Sequence, residues 1–165
     1  MNRGELSIYR RKLPHWRMDG AIYFVTWRLR KNQPLLRPVE RTAVVSAIRY
    51  FESQRYDLFA YVVMDDHAHV LVSPVGECSL HQILHSWKSF SARQLQRHYG
   101  RSRSVWQDES FDRIVRDEEE FNAKLGYILG NPFARWPDIV DYSWCGCGTA
   151  MAGTEACPTE GSQPT

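Results

Sequence analysis

The sequence contains no long apolar run, and none approaches the roughly 18 consecutive apolar residues that a membrane-spanning helix needs. Its N-terminal stretch, MNRGELSIYRRKLPHW, is basic and has no apolar segment of the kind found in secretory signals. Cysteine is scarce as well: the four cysteines form no regular framework, so a disulfide-stapled secreted domain is not expected and reduced thiols are predicted. We therefore expect a cytoplasmic protein without a membrane partner.

Neither sign of charge is in large excess, since the net charge is only +2. The charges are nevertheless unevenly distributed along the chain. Residues 1–60 hold 12 Lys/Arg against 5 Asp/Glu, whereas residues 108–165 hold 4 against 11. Basic and aromatic residues mix in RRKLPHWR and TWRLRK, a composition that suits phosphate neutralisation and base stacking and equally suits a solvated basic face. The candidates for phosphate contacts are Arg10, Arg11, Lys12, Arg17, Lys88, Arg93, Arg97, Arg101 and Arg103.

The apolar pattern predicts the order strand, helix, strand, strand, helix, strand, helix. Strands are predicted at 21–29, 56–64, 67–73 and 111–115, and helices at 38–54, at 79–99 and from 117 to Pro132, which is expected to end or kink the last helix. The simplest fold with this order of elements is an α+β, ferredoxin-like (RRM-like) sandwich with an antiparallel four-stranded sheet and two helices on one face. The extra C-terminal helix would lie across or beside the open face. We divide the chain into a basic arm (1–20), the folded domain (21–142) and a flexible tail (143–165).

Two histidines, His67 and His69, lie one residue apart in the third predicted strand. Because side chains alternate along a strand, both project from one face while Ala68 projects from the other. Two imidazoles so placed can converge on one cation, although a third ligand would have to come from elsewhere. The alternative is a histidine pair on a solvated face of the sheet.

The last predicted helix contains KLGYILGNP, in which Tyr127 and Asn131 are four residues apart and so share a face. Asn131 can supply an oxygen ligand to a divalent ion, and Tyr127 can supply a nucleophile. The alternative is an ordinary half-buried aromatic residue and an ordinary helix C-cap before Pro132.

Several motifs occur in a fixed order between residues 13 and 132: LPHW, FVTWRL, VVMDDHAHVLVSP, SWKSFSAR, VWQDESFDRIVRD and YILGNP. Together they resemble the single-tyrosine transposases of the HUH endonuclease superfamily, and within it the REP-associated tyrosine transposases. The resemblance implies that His67 and His69 bind Mg²⁺ or Mn²⁺, with Asn131 as third ligand. It also implies that Tyr127 attacks a DNA phosphodiester, leaving a 5′-phosphotyrosine and a free 3′-hydroxyl, and that a second transesterification rejoins the strand.

The implied partner is single-stranded, hairpin-forming repeat DNA, which places the protein in the nucleoid. Relatives of this kind act as monomers in cis or as swapped homodimers, so both states stay open. Two other functions stay open as well. One is a domesticated hairpin-binding protein without cleavage activity, and the other is a metal-dependent hydrolase that uses water and does not need Tyr127.

The sequence departs from the family pattern at three places. Asp65 and Asp66 stand where the family usually has Pro-Asn, Ala68 replaces a branched residue, and Arg113 replaces a frequent histidine. Asp66 could orient His67 or bind metal itself. The sequence gives no role for Asp65.

Overall fold

The computed structural model describes residues 20–152 of the 165-residue chain. The predicted phosphate contacts Arg10, Arg11, Lys12 and Arg17 lie outside the described residues. Within that part of the chain, no helix is long and apolar enough to cross a membrane.

Every predicted strand and helix is present, in the predicted order. Two of the helices begin at capped residues: the Ser79 hydroxyl accepts a hydrogen bond from the Gln82 backbone N–H, and the Asp117 carboxylate accepts one from Glu120. The elements are β1 Ile22–Arg28, α1 Pro38–Arg49, β2 Tyr56–Val63, β3 His67–Pro74, α2 Leu80–Tyr99, β4 Phe111–Val115, α3 Glu118–Arg135, β5 Cys145–Cys147 and a 3₁₀ turn Thr149–Met151.

The five strands form one antiparallel sheet in the order β4-β1-β3-β2-β5. The first four follow the ferredoxin-like order, which confirms the predicted α+β fold class. Helices α1 and α2 pack on one face around Trp27, Val70 and Trp87, and α3 packs on the other around Phe24 and Phe59. The sheet therefore separates two apolar clusters, and α3 lies on the face opposite the other two helices.

The fifth strand corrects the prediction of four strands and shows that the predicted tail contains ordered structure. Strand β5 pairs with β2, and Gly148 follows it so close to β2 that a Cβ atom there would clash with the carbonyl oxygen of Leu58. This glycine permits a close approach of two backbones, and Met151 beyond it is fully buried. Cys147 is disulfide-bonded, so the prediction of reduced thiols is wrong there, whereas Cys78 and Cys145 are free.

Candidate active site

The alternation of strand β3 places both histidines on the face that α3 covers. Ala68 and Val70 enter the cluster under α1 and α2, while His67 and His69 lie on the other face, only 8% and 4% exposed. Their ring centroids are 4.7 Å apart. They are thus neighbouring, nearly buried imidazoles rather than a solvated pair.

His69 has one engaged ring nitrogen and one buried nitrogen without a partner. Its Nδ1 lies 2.6 Å from Oγ1 of Thr26, the residue opposite it on β1, while Nε2 is buried and has no hydrogen-bond partner. Burial, reinforced by the nearby charges of His67, Arg28 and Lys124, lowers the pKa of His69 to about 3. The ring is therefore neutral at physiological pH, which is the form that binds a metal.

The two aspartates before the histidines have different hydrogen-bond partners, although Nη1 of Arg135 also lies 3.9 Å from Asp66. The Asp66 carboxylate lies 2.5 Å from Nδ1 of His67. Burial alone would raise the pKa of Asp66, but this hydrogen bond and the nearby charges of His67, Arg135 and Arg28 together lower it below its ordinary value. Asp65 instead receives two hydrogen bonds from Nη2 of Arg135, at 3.0 and 3.1 Å. Asp66 thus orients a histidine, and Asp65 ties the end of α3 to the turn that precedes the histidines.

Helix α3 presents its polar side to the same place. The Tyr127 ring centroid lies 5.2 Å from that of His69 and 6.0 Å from that of Phe24, and the side chain remains 53% exposed. One turn earlier, Nζ of Lys124 lies 4.6 Å from the Phe24 ring centroid. The structure therefore brings Tyr127 and the histidine pair together, with the phenol still accessible from solvent.

Asn131 lies inside α3, one turn after Tyr127 and one turn before Arg135, so the alternative of a helix C-cap is excluded. On that face Tyr127 contacts His69 and Arg135 contacts Asp65. Asn131 lies between these two residues of α3. The helix continues through Pro132, which has no N–H to donate to the carbonyl of Ile128. That carbonyl instead accepts a hydrogen bond from the Cys145 thiol of β5, at 3.6 Å.

The residues present fit a divalent ion. With Nδ1 of each histidine already engaged, Nε2 is the remaining nitrogen of each ring, and the unpartnered Nε2 of His69 is a polar atom that a ligand would satisfy. Two imidazoles and an amide oxygen form a donor set that suits Mn²⁺ or Mg²⁺. Among residues 20–152, no group of three or more His, Cys, Asp or Glu side chains has the arrangement of a metal site.

Two of the predicted phosphate contacts, Arg101 and Lys88, have hydrogen-bond partners within the protein. The Arg101 guanidinium is buried, pairs with both oxygens of Glu40 at 2.6 and 2.9 Å, and binds the carbonyls of Pro34 and Leu35. The Lys88 ammonium donates to two backbone carbonyls and to the Ser110 hydroxyl. Both cations hold loops together in this structure, and their contact with DNA stays a prediction.

The other predicted contacts on α2 and the loop after it, Arg93, Arg97 and Arg103, are exposed. Because α2 packs on the sheet face opposite the histidines, Arg93 and Arg97 lie away from the candidate site. Their contact with DNA stays a prediction.

Sequence reasoning missed several residues of the site: Thr26, Arg28, Lys124 and Arg135. Lys124 and Arg135 share the face of Tyr127, at three residues before it and eight after, so helical spacing could have identified them. Thr26 and Arg28 lie opposite His69 and His67 only because of the β1–β3 register, which the sequence does not contain.

The sheet order, the buried histidine pair and the facing tyrosine together define an α+β protein with a two-histidine, one-tyrosine site. The family model described as "Transposase IS200 like" matches residues 18–128, and the chain belongs to this family. No curated protein matches the chain.

Several solved structures are similar, and two of them are transposases. A REP-associated tyrosine transposase bound to a REP hairpin is 20% identical with a TM-score of 0.62, over 78% of this chain and 77% of the other. A candidate transposase from Deinococcus radiodurans R1 is 16% identical with a TM-score of 0.49, over 62% of this chain and 85% of the other. The first likeness establishes the fold, and the family match confirms the predicted transposase family. Membership of the REP-associated subgroup stays a prediction.

Proposed function

We propose that this transposase-family protein cleaves and rejoins single-stranded, hairpin-forming DNA through a covalent bond to Tyr127. One observation supports this most directly: an accessible phenol lies against a neutral imidazole whose Nε2 is buried and unpartnered. The hairpin substrate is suggested by the structurally similar REP-associated transposase, which is bound to one. A substrate of this kind would place the protein with DNA in the nucleoid.

In the proposed reaction the Tyr127 oxygen forms a bond to phosphorus and the P–O3′ bond breaks. The phenolic proton passes to solvent, and the leaving 3′ oxygen takes up a proton. The protein then carries the 5′-phosphate, and attack by a 3′-hydroxyl reverses the step and restores the phosphodiester. The phosphotyrosine conserves the bond energy, so no nucleotide hydrolysis is needed.

His67 and His69 would hold a divalent ion, Mg²⁺ or Mn²⁺, with Asn131 as third ligand. When bound, the ion would polarise the phosphate and stabilise phenolate, which matters because a phenol with a pKa near 10 is a weak nucleophile at neutral pH. Thr26 and Asp66 fix the ring orientation of the two histidines through Nδ1. Arg28 and Lys124 supply positive charge beside them for a DNA strand.

The test is covalent capture. A hairpin oligonucleotide with single-stranded flanks, labelled at its 3′ end, is incubated with the protein and Mn²⁺ and run on a denaturing gel. We expect a protein–DNA adduct that is lost in Tyr127→Phe and retained in Tyr50→Phe, since Tyr50 is 66% exposed and lies on the other side of the sheet. Cleavage that persists in Tyr127→Phe would indicate a hydrolase using water, and binding without cleavage would indicate a domesticated binding protein.

The histidines are tested in the same assay. The double change His67→Ala with His69→Ala should abolish the adduct and leave hairpin binding largely intact, because the metal serves the chemistry while other contacts hold the DNA. Retention of the adduct in this variant would contradict the proposed metal site.

Because the tyrosine and the histidines that face each other belong to one chain, we further propose that cleavage occurs in cis. A mixture of Tyr127→Phe protein with the histidine double variant should then form no adduct. An adduct in the mixture would show that the helix serves a partner's site in a dimer.

A further inference from the structure

Strand β4 carries an exposed aromatic residue in line with the candidate site. Phe111 lies opposite Thr26 on β1, and Thr26 lies opposite His69 on β3. Residues paired across antiparallel strands project from the same face, so the three side chains form one row across the sheet. Two strand spacings, about 10 Å, separate the backbones of Phe111 and His69.

The Phe111 side chain is 58% exposed, whereas Phe24, the next aromatic residue on this face, is buried beneath Tyr127 and Lys124. A single exposed hydrophobic residue is common on protein surfaces and carries no argument alone. Its position at the uncovered end of the row that contains His69 makes it different from the exposed Ile114, which lies on the opposite face of the same strand.

Positive charge surrounds this row. Arg28 is exposed and lies opposite His67 on the same face, and Lys124 lies above Phe24. Arg113, two residues after Phe111, is exposed too but shares its charge with Glu120 at 2.6 Å. An aromatic face beside cations is the combination that binds single-stranded nucleic acid, because the ring stacks on a base while the cations neutralise phosphates.

We propose that Phe111 is a stacking platform for a base that neighbours the phosphate bound at His67 and His69, and that Arg28 and Lys124 hold the adjoining backbone. The proposal rests on the proposed function for the path of the DNA strand. It adds a contact that selects single-stranded DNA, since a base can reach the Phe111 ring only when it is unstacked.

The test measures binding in a Tyr127→Phe background, so that cleavage does not interfere. The probe is a hairpin oligonucleotide whose single-stranded flanks carry 2-aminopurine at one position at a time. We expect one flank position at which fluorescence is quenched on binding, with the quenching lost in Phe111→Ala and kept in Phe111→Tyr and Ile114→Ala. Affinity should fall on the order of 10-fold in Phe111→Ala.

An abasic nucleotide at the quenched position separates stacking from a general loss of fit. On that DNA, Phe111→Ala should bind as tightly as the protein with Phe111. A 10-fold loss that is the same on abasic and intact DNA, or no position with Phe111-dependent quenching, would overturn the proposal. If quenching depends on Phe111 but wild-type protein forms no adduct, cleavage fails as the proposed function and the platform stands.

Discussion

The ion pair between Arg135 and Asp65 should control how often Tyr127 is in position to react. Arg135 lies eight residues after Tyr127, about 12 Å along the helix, and Asp65 lies two residues before His67. The pair therefore joins the helix that carries the phenol to the turn that carries the histidines. Asp65→Asn removes the pair and leaves the hydrogen bond between Asp66 and His67 in place, whereas Arg135→Gln also removes a charge that lies 3.9 Å from Asp66. Both changes should loosen the end of α3.

The expected size follows from the exposure of the pair. The Asp65 side chain is 10% exposed and that of Arg135 is 41% exposed, so the pair lies between a surface pair, worth up to about 1 kcal/mol, and a buried pair, whose breakage costs about 3–5 kcal/mol. We expect Arg135→Gln and Asp65→Asn each to lower the unfolding free energy by about 1–2 kcal/mol, with a coupling of about 1 kcal/mol. If the same 1–2 kcal/mol stabilises the helix position in which Tyr127 can react, each substitution should slow adduct formation roughly 5-fold to 30-fold.

The control is Arg49→Gln, which removes an ion pair with Glu52 of nearly the same exposure, 37% and 13%, from helix α1 on the sheet face opposite α3. It should lower stability by a similar amount without slowing adduct formation. The assay pairs urea unfolding with single-turnover adduct formation at saturating DNA and Mn²⁺. If Arg135→Gln loses stability yet reacts at the wild-type rate, the ion pair is structural only and the reasoning is wrong.

Three further predictions concern residues that support the site or the fold. Thr26→Val should raise the Mn²⁺ concentration for half-maximal adduct formation about 10-fold, because Nδ1 of His69 loses its partner; an unchanged Mn²⁺ titration would show that Thr26 does not orient the ring. Cys145→Val should lower the unfolding free energy by about 1 kcal/mol in urea titrations, because the Ile128 carbonyl loses its donor; no loss would mean that water replaces the thiol. Burial alone would raise the pKa of Glu40, but hydrogen bonds from Arg101 and Arg37 and the charge of Arg101 together lower it from 4.5 to about 2. The stabilising effect of Glu40 is therefore complete above pH 4.5 and is lost as the pH falls through 2. Glu40→Gln should accordingly destabilise the protein by about 3–5 kcal/mol at pH 7 and by progressively less below pH 4.5 in urea unfolding, and a pH-independent difference would exclude this ion pair as the cause.

The sequence was sufficient for features that depend on local periodicity. The strand that contains His67 and His69, its alternation and the helical face shared by Tyr127 and Asn131 all follow from spacings of two and four residues, and each is present as predicted. Strand β5 was missed because three residues rich in glycine and cysteine carry no strand pattern. In the structure this glycine-rich segment is ordered by the close approach to β2 at Gly148, a contact between residues far apart in the chain.

The basic residues show a different limit, because composition does not say which cations are free. Arg101 and Lys88 contribute to the positive charge of the chain. Arg101, however, forms an ion pair with Glu40, and Lys88 donates hydrogen bonds to carbonyls of the loop after α2. Arg28 and Lys124 looked no different in the sequence, but the register of β1 and the face of α3 place them beside the histidines. Charge counts therefore suggest a class of partner, but they do not show which cations already have partners inside the protein.

No role for Asp65 could be predicted from the sequence, because its partner Arg135 lies beyond Pro132 and proline normally ends or kinks a helix. Proline removes a helical hydrogen bond, so the sequence suggests that the helix ends or kinks there and that Arg135 lies beyond it. The Cys145 thiol offsets that loss by donating to the Ile128 carbonyl, and α3 then runs to Arg135. Only this extra turn brings the guanidinium to Asp65, 70 residues away in the chain. The strand that the sequence did not reveal therefore supports the helix end, and through it the ion pair that we expect to position Tyr127 beside the histidines.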